Sequence, residues 1–191
     1  MYWDRIYYRE MTLGGYMSDM FDKVTSQQDF IKKLLSKIPG FKGYIERENR
    51  RSSDKILRDT LANQLEEVWK RISSLQRDLI NQGAISMIDD LEAAAIKFRQ
   101  VIDRVQKASY GYSGFFDAVK INEKELEQIY QFDLTMMEQV DLANKAVDNV
   151  ETSMGTDGLP AAVRNLISVA DQCVTAFDKR AEVITGLNTV S

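Results

Sequence analysis

The chain of 191 residues contains no histidine, one cysteine and only two prolines. Without histidine there are no His-based catalytic triads, no Glu-x-x-His di-iron site, no HExxH zinc site and no imidazole switch titrating near neutral pH. The single thiol, Cys173, excludes an intrachain disulfide and any multi-cysteine metal site. No stretch is apolar enough for the roughly 7–15 residues of a secretory core or the roughly 18 of a membrane span. Glycine-rich phosphate loops are missing too. Gly40-Phe-Lys-Gly43 and Tyr110-Gly-Tyr-Ser-Gly114 lack both the spacing and a preceding strand.

What is present is the material of a folded, helical protein. Hydrophobic residues make up 44% and charged residues 28%, a balance that excludes a disordered or collagen-like chain. Lys and Arg number 25 against 29 Asp and Glu, a net charge of −4, and the length suits one domain.

Apolar residues recur at steps of three and four along four segments. The first stripe is Leu57, Leu61, Leu65, Val68, Ile72, Leu75 and Leu79, stopped by Gly83; the second is Ile88, Leu91, Ala95, Phe98, Ile102 and Val105. Ser86 with Asp89 three residues on reads as a capping box for that second helix. The third stripe is Leu126, Ile129, Phe132, Met136, Val140, Ala143, Val147, Val150 and Met154, with Asn122 as N-cap and Glu125 at N3. Pro160 opens the fourth: Val163, Leu166, Ala170, Cys173, Phe177, Ala181 and Ile184.

The spacing predicts helices over about 46–82, 87–109, 122–154 and 159–187, joined by tight turns at 83–85 and 155–158. Short links make antiparallel neighbours, so the expected fold is all-α: an up-down-up-down four-helix bundle with coiled-coil-like packing and an N-terminal amphipathic helix. The expected divisions are a leader at 1–25, a short amphipathic helix and turn at 26–44, and the bundle at 45–191. In the leader, Met17-Ser-Asp-Met reads as an alternative start, and Trp3, Tyr7 and Tyr8 as an aromatic strap; both readings stay open.

Charge is unevenly placed. Between Lys32 and Arg58 stand Lys32, Lys33, Lys37, Lys42, Arg47, Arg50, Arg51, Lys55 and Arg58 against Glu46, Glu48 and Asp54, a balance of +6. From Phe115 to Asp157 three lysines face ten acids, a balance of −7. Such runs are ordinarily solvated helix faces, but a basic end can also steer an acidic partner. The stretch 46–55 lacks apolar residues apart from whatever packing the aromatics give it. Together with Phe41 and Tyr44 before it, and Tyr110 and Tyr112 after the second helix, it forms an expected partner-binding pole centred on Arg47, Arg50 and Arg51. The partner would be a protein or a second copy; nucleic acid is disfavoured by the net negative charge.

A second candidate is the segment 27–38. Phe30, Ile31, Leu34, Leu35 and Ile38 share one face, with Lys32, Lys33 and Lys37 elsewhere. It either docks on its own bundle or lies on an anionic membrane surface through Phe30, Lys33, Leu34, Lys37 and Ile38. The remaining candidates read as structural. Cys173 falls on an apolar stripe in mid-helix, Met136, Met137 and Met154 are core filler, and Asp89, Asp90 and Glu92 favour a helix N-terminus. A carboxylate pair such as Asp133 with Asp141 stays open. No catalytic residue, metal ligand or cofactor is expected.

The segments IPGFKGYIERENRRSSDKILR (38–58) and SYGYSGFFDAVKINEKEL (109–126) resemble an uncharacterised group of small bacterial helical proteins. The likeness spans under a third of the chain. It implies a bacterial, cytoplasmic bundle without an assigned activity and transfers no site residues. The expected function is that of a non-enzymatic interaction or scaffold protein, with peripheral membrane association as the alternative.

Overall fold

A computed structural model of the chain describes residues 29–44, 46–108 and 123–187, and every regular element in them is helical. Helix α1 covers residues 29–37, α2 runs from Arg47 to Asn81, α3 from Ile88 to Lys107, α4 from Glu123 to Ser153 and α5 from Leu159 to Leu187. Among the described residues no helix is long and apolar enough to cross a membrane.

The turn after α2 shows why the helix ends there. Gly83 adopts φ +75°, and its amide bonds the carbonyl of Ile80 while that of Ala84 bonds Leu79, the paired closure of a Schellman motif. The expected capping box fails. Ser86 lies inside a single 3-10 turn, Ile85–Met87, and α3 starts from Met87 with no side-chain cap.

Each long helix packs mainly on two others, so that the order around the bundle is α2, α3, α5, α4. The hairpins α2–α3 and α4–α5 are antiparallel, as their short turns require. Between the hairpins the partners are parallel: Lys97 to Asp171 and Arg104 to Asp178 keep the same offset of 74 residues along α3 and α5. Likewise α2 and α4 share Arg180 through Asp54 and Asp133 near one end, while toward the other Arg71 reaches Asp148 and Glu151. Helices α3 and α4 therefore stand at opposite corners of the bundle.

The four stripes supply the core. All seven expected α2 positions are buried, as are Leu91, Ala95, Phe98, Ile102 and Val105 of α3. Phe132 is a correction: it is half-buried, and its neighbours Tyr130, Asp133 and Leu134 turn inward instead.

Helix α3 is 20 residues long against 35 for α2. Gln76 meets Glu92 and Trp69 meets Arg99 across the hairpin, which places Lys107 level with Leu61. Below that level the first turns of α2 have no α3 beside them. The strap of residues 38–44 packs there, burying Ile38, Phe41 and Tyr44, while Leu34 of α1 is buried and Lys37 reaches Asp141 farther along α4.

Candidate functional site

The strap is held by its backbone. Gly40 and Gly43 have φ of +81° and +82°, conformations that cost a residue with a side chain. A Cβ on Gly43 would also lie 2.7 Å from the Tyr130 hydroxyl, which accepts the Tyr44 amide hydrogen at 2.5 Å. Ser53 Oγ donates to the Gly43 carbonyl and Arg50 Nε to that of Tyr44, at 2.9 and 2.8 Å. These bonds fix the Tyr44 ring, which stacks edge-on to Phe41 at 5.4 Å and tilted on Tyr130 at 5.2 Å.

Beneath the rings lies a cluster of buried ions. The Tyr44 hydroxyl donates to Asp133 Oδ2 at 2.6 Å, and Asp133 Oδ1 accepts from Arg180 Nε, also at 2.6 Å. Arg180 Nη2 continues to Asp54 Oδ1, and Asp54 Oδ2 accepts from Arg58 Nε, both at 2.8 Å. Three helices and the strap thus converge on two carboxylates and two guanidinium groups, a neutral set. Relative exposure is 0% for Tyr44 and Asp133, 1% for Arg180 and 3% for Asp54.

Burial and pairing pull the ionisation equilibria in opposite directions. Burial raises the Asp133 carboxyl, while Arg180 and the Tyr44 hydroxyl hold it down. Burial, reinforced by Asp133, pushes the Tyr44 phenol well above its ordinary value and keeps it protonated. Burial works against the charge on Arg180, and the two aspartates more than restore it. Desolvation alone pushes Cys173 up to about 12, leaving an inert thiol in the core.

The pole expected from the sequence is rearranged accordingly. Phe41, Tyr44 and Arg50 are buried and cannot meet a partner in this conformation, because they form the anchor of the strap. Arg58 also turns inward. Arg51 is exposed, as are Lys42 and Lys55, and they lie together because the strap folds over α2: the Lys42 amide donates to Ser53 Oγ, and Gly40 sits by Ile56. The side chain of Arg47, and Tyr110 and Tyr112, lie outside the described residues, as do Asn122 and the leader.

In α1 Leu34 is buried and Phe30 partly so, and Ile38 directly after the helix is buried, which removes them from any membrane face while the helix is docked. Lys33 is exposed, and Lys37 pairs with Asp141 at 2.5 Å. Asp133 and Asp141 do not form an acid–base pair: one is in the core and the other on the surface. Asp89, Asp90 and Glu92 are exposed, and among the described residues no three acids or thiols gather to hold a metal.

No family model, curated protein or solved structure matches this chain. Function must therefore be read from its own chemistry.

Proposed function

We propose that the protein is a non-enzymatic interaction or scaffold bundle that binds an acidic protein partner through Lys42, Arg51 and Lys55. The observation that supports this reading is how the charges are divided. Tyr44, Asp54, Asp133 and Arg180, the groups best suited to proton chemistry, are spent on one another inside the fold. Cations remain exposed around the strap, while exposed acids such as Glu138, Asp148 and Asp171 occupy α4 and α5. A surface of this kind steers an oppositely charged partner and sets its orientation. The bacterial, cytoplasmic setting implied by the likeness at 38–58 and 109–126 belongs to the same proposal.

Binding of fluorescent polyglutamate tests it. The native protein should bind at low salt and lose affinity toward 1 M salt, where the Debye length falls to about 3 Å. A Lys42→Glu, Arg51→Glu, Lys55→Glu variant should stay folded and not bind. If sizing at low salt shows a dimer that the variant lacks, the acidic partner is a second copy. Equal binding by both proteins would refute the proposal, as would no binding by the native one.

A further inference from the structure

At 100° per residue, Phe30, Ile31, Leu34 and Leu35 of α1, with Ile38 directly after it, whose amide still bonds the Leu34 carbonyl, occupy a continuous arc of roughly 140°. The groove that receives the helix is narrower than this arc. Leu34 and Ile38 at its centre have no exposed surface, Phe30 and Ile31 are partly covered, and Leu35 at one border keeps 48% of its surface in water. Lys32, the next residue around the helix from Leu35, is exposed, and so is Lys33. Lys37 marks the opposite border. Its bond to Asp141 is, among the described residues, the one charged tie between α1 and the bundle, and both groups are partly in water, at 31% and 52% exposure.

The attachment of the helix differs from that of the strap that follows it. Gly43 and Tyr44 are fastened by Tyr130, Ser53, Arg50 and Asp133. Between that anchor and the helix stands Gly40, in the left-handed conformation after Pro39, with one backbone bond, from the Phe41 amide to the Ile38 carbonyl at 3.2 Å, closing across it.

From this arrangement we propose that α1 is a reversible anchor for an anionic lipid surface. It undocks by turning about Gly40 and lays its apolar arc, Leu35 included, into the lipid–water interface. The exchange replaces one apolar setting with another for Leu34 and Ile38, removes Leu35 from water, and trades the single Asp141 for many headgroups around Lys32, Lys33 and Lys37. A helix this short binds weakly by itself, so attachment is readily reversed. This goes beyond the acidic-partner reading and uses a separate surface.

Co-sedimentation of the full chain with phosphatidylcholine vesicles, with and without phosphatidylserine, tests it. Binding should require phosphatidylserine and weaken with salt. Leu35→Glu, an exposed change, should lower vesicle affinity roughly tenfold without shifting the melting temperature or polyglutamate binding. Asp141→Lys, which repels Lys37 and frees the helix, should raise vesicle affinity several-fold. The proposal is overturned if the native chain ignores anionic vesicles at low salt, if Leu35→Glu binds like the native chain, or if Asp141→Lys binds no better. Because polyglutamate binding is read in parallel, any of these failures leaves the basic-face proposal standing or falling on its own result.

Discussion

Arg180 and Arg104 each bind aspartate on another helix, yet the Arg180 side chain is 2% exposed and that of Arg104 36%. The inner arginine holds Asp54 and Asp133 where neither water nor salt can replace it. The outer one holds Asp178, with its guanidinium over the ring of Phe177, in partial contact with solvent. Taking both partners of an ion pair out of water costs several kcal/mol per ion, so the inner cluster adds little net stability compared with a well-packed apolar core. Its value lies in exclusion. A slip of α2, α4 or α5 by one turn would leave a buried charge alone, whereas Arg104 or Arg71 would find water. The inner pairs fix register, and the outer pairs that Lys37, Arg71, Lys97 and Arg104 make between helices draw bases from α1–α3 and acids from α4–α5 and add a weak bias toward the same assembly.

The largest expected effect comes from removing one member of the inner set. Arg180→Met takes the guanidinium from both Asp54 and Asp133, of which Asp54 keeps its bond to Arg58, and it should lower unfolding free energy by about 3–5 kcal/mol in urea titration. Loss of under about 1 kcal/mol would mean that the cluster is wetter than its geometry indicates.

Cys173 sharpens the comparison as a buried ionisable group without a counter-ion. Its thiol is raised from 9.0 to about 12, so the unfolded chain releases the proton first. The associated stability is intact below pH 9 and is lost as pH rises from 9 toward 12. At about 1.4 kcal/mol per unit, the loss is at most about 4 kcal/mol. Tyr44 acts in the same direction from about pH 10 upward. Cys173→Ala should flatten the alkaline fall measured by urea unfolding across this range; an unchanged slope would show that the thiol is not dry.

At the small end, Arg71→Ala should cost about 0–1 kcal/mol and less in high salt, because Arg71, Asp148 and Glu151 are all partly exposed. A cost near that of Arg180→Met would erase the distinction between the two sets.

Much of the fold is legible in the sequence. Apolar periodicity places the four long helices to within two residues of where they lie, and Gly83 and the 155–158 turn mark the hairpins. The inner cluster is harder to read, because periodic patterning assigns charged residues to solvent. Arg180 nevertheless extends the steps Val163, Leu166, Ala170, Cys173, Phe177, and Asp133 falls between Ile129 and Met136 on the same logic. A cation and an anion on seam positions at the same end of a bundle are a readable hint of pairing. The partners themselves lie 47 and 126 residues apart and come together only through packing. The same limit explains the displaced pole: Arg50 and Arg51 are alike in sequence, and only the strap over α2 turns one inward and leaves the other outside.

The most direct test is a double-mutant cycle between Asp133 and Arg180, each changed to Ala singly and together, by urea unfolding at low and high salt. If the cluster is a dry, register-fixing lock, the coupling should be about 2–3 kcal/mol and the same in 1 M salt. A coupling below about 0.5 kcal/mol, or one that salt abolishes, would place the pair with the surface ion pairs and contradict the account.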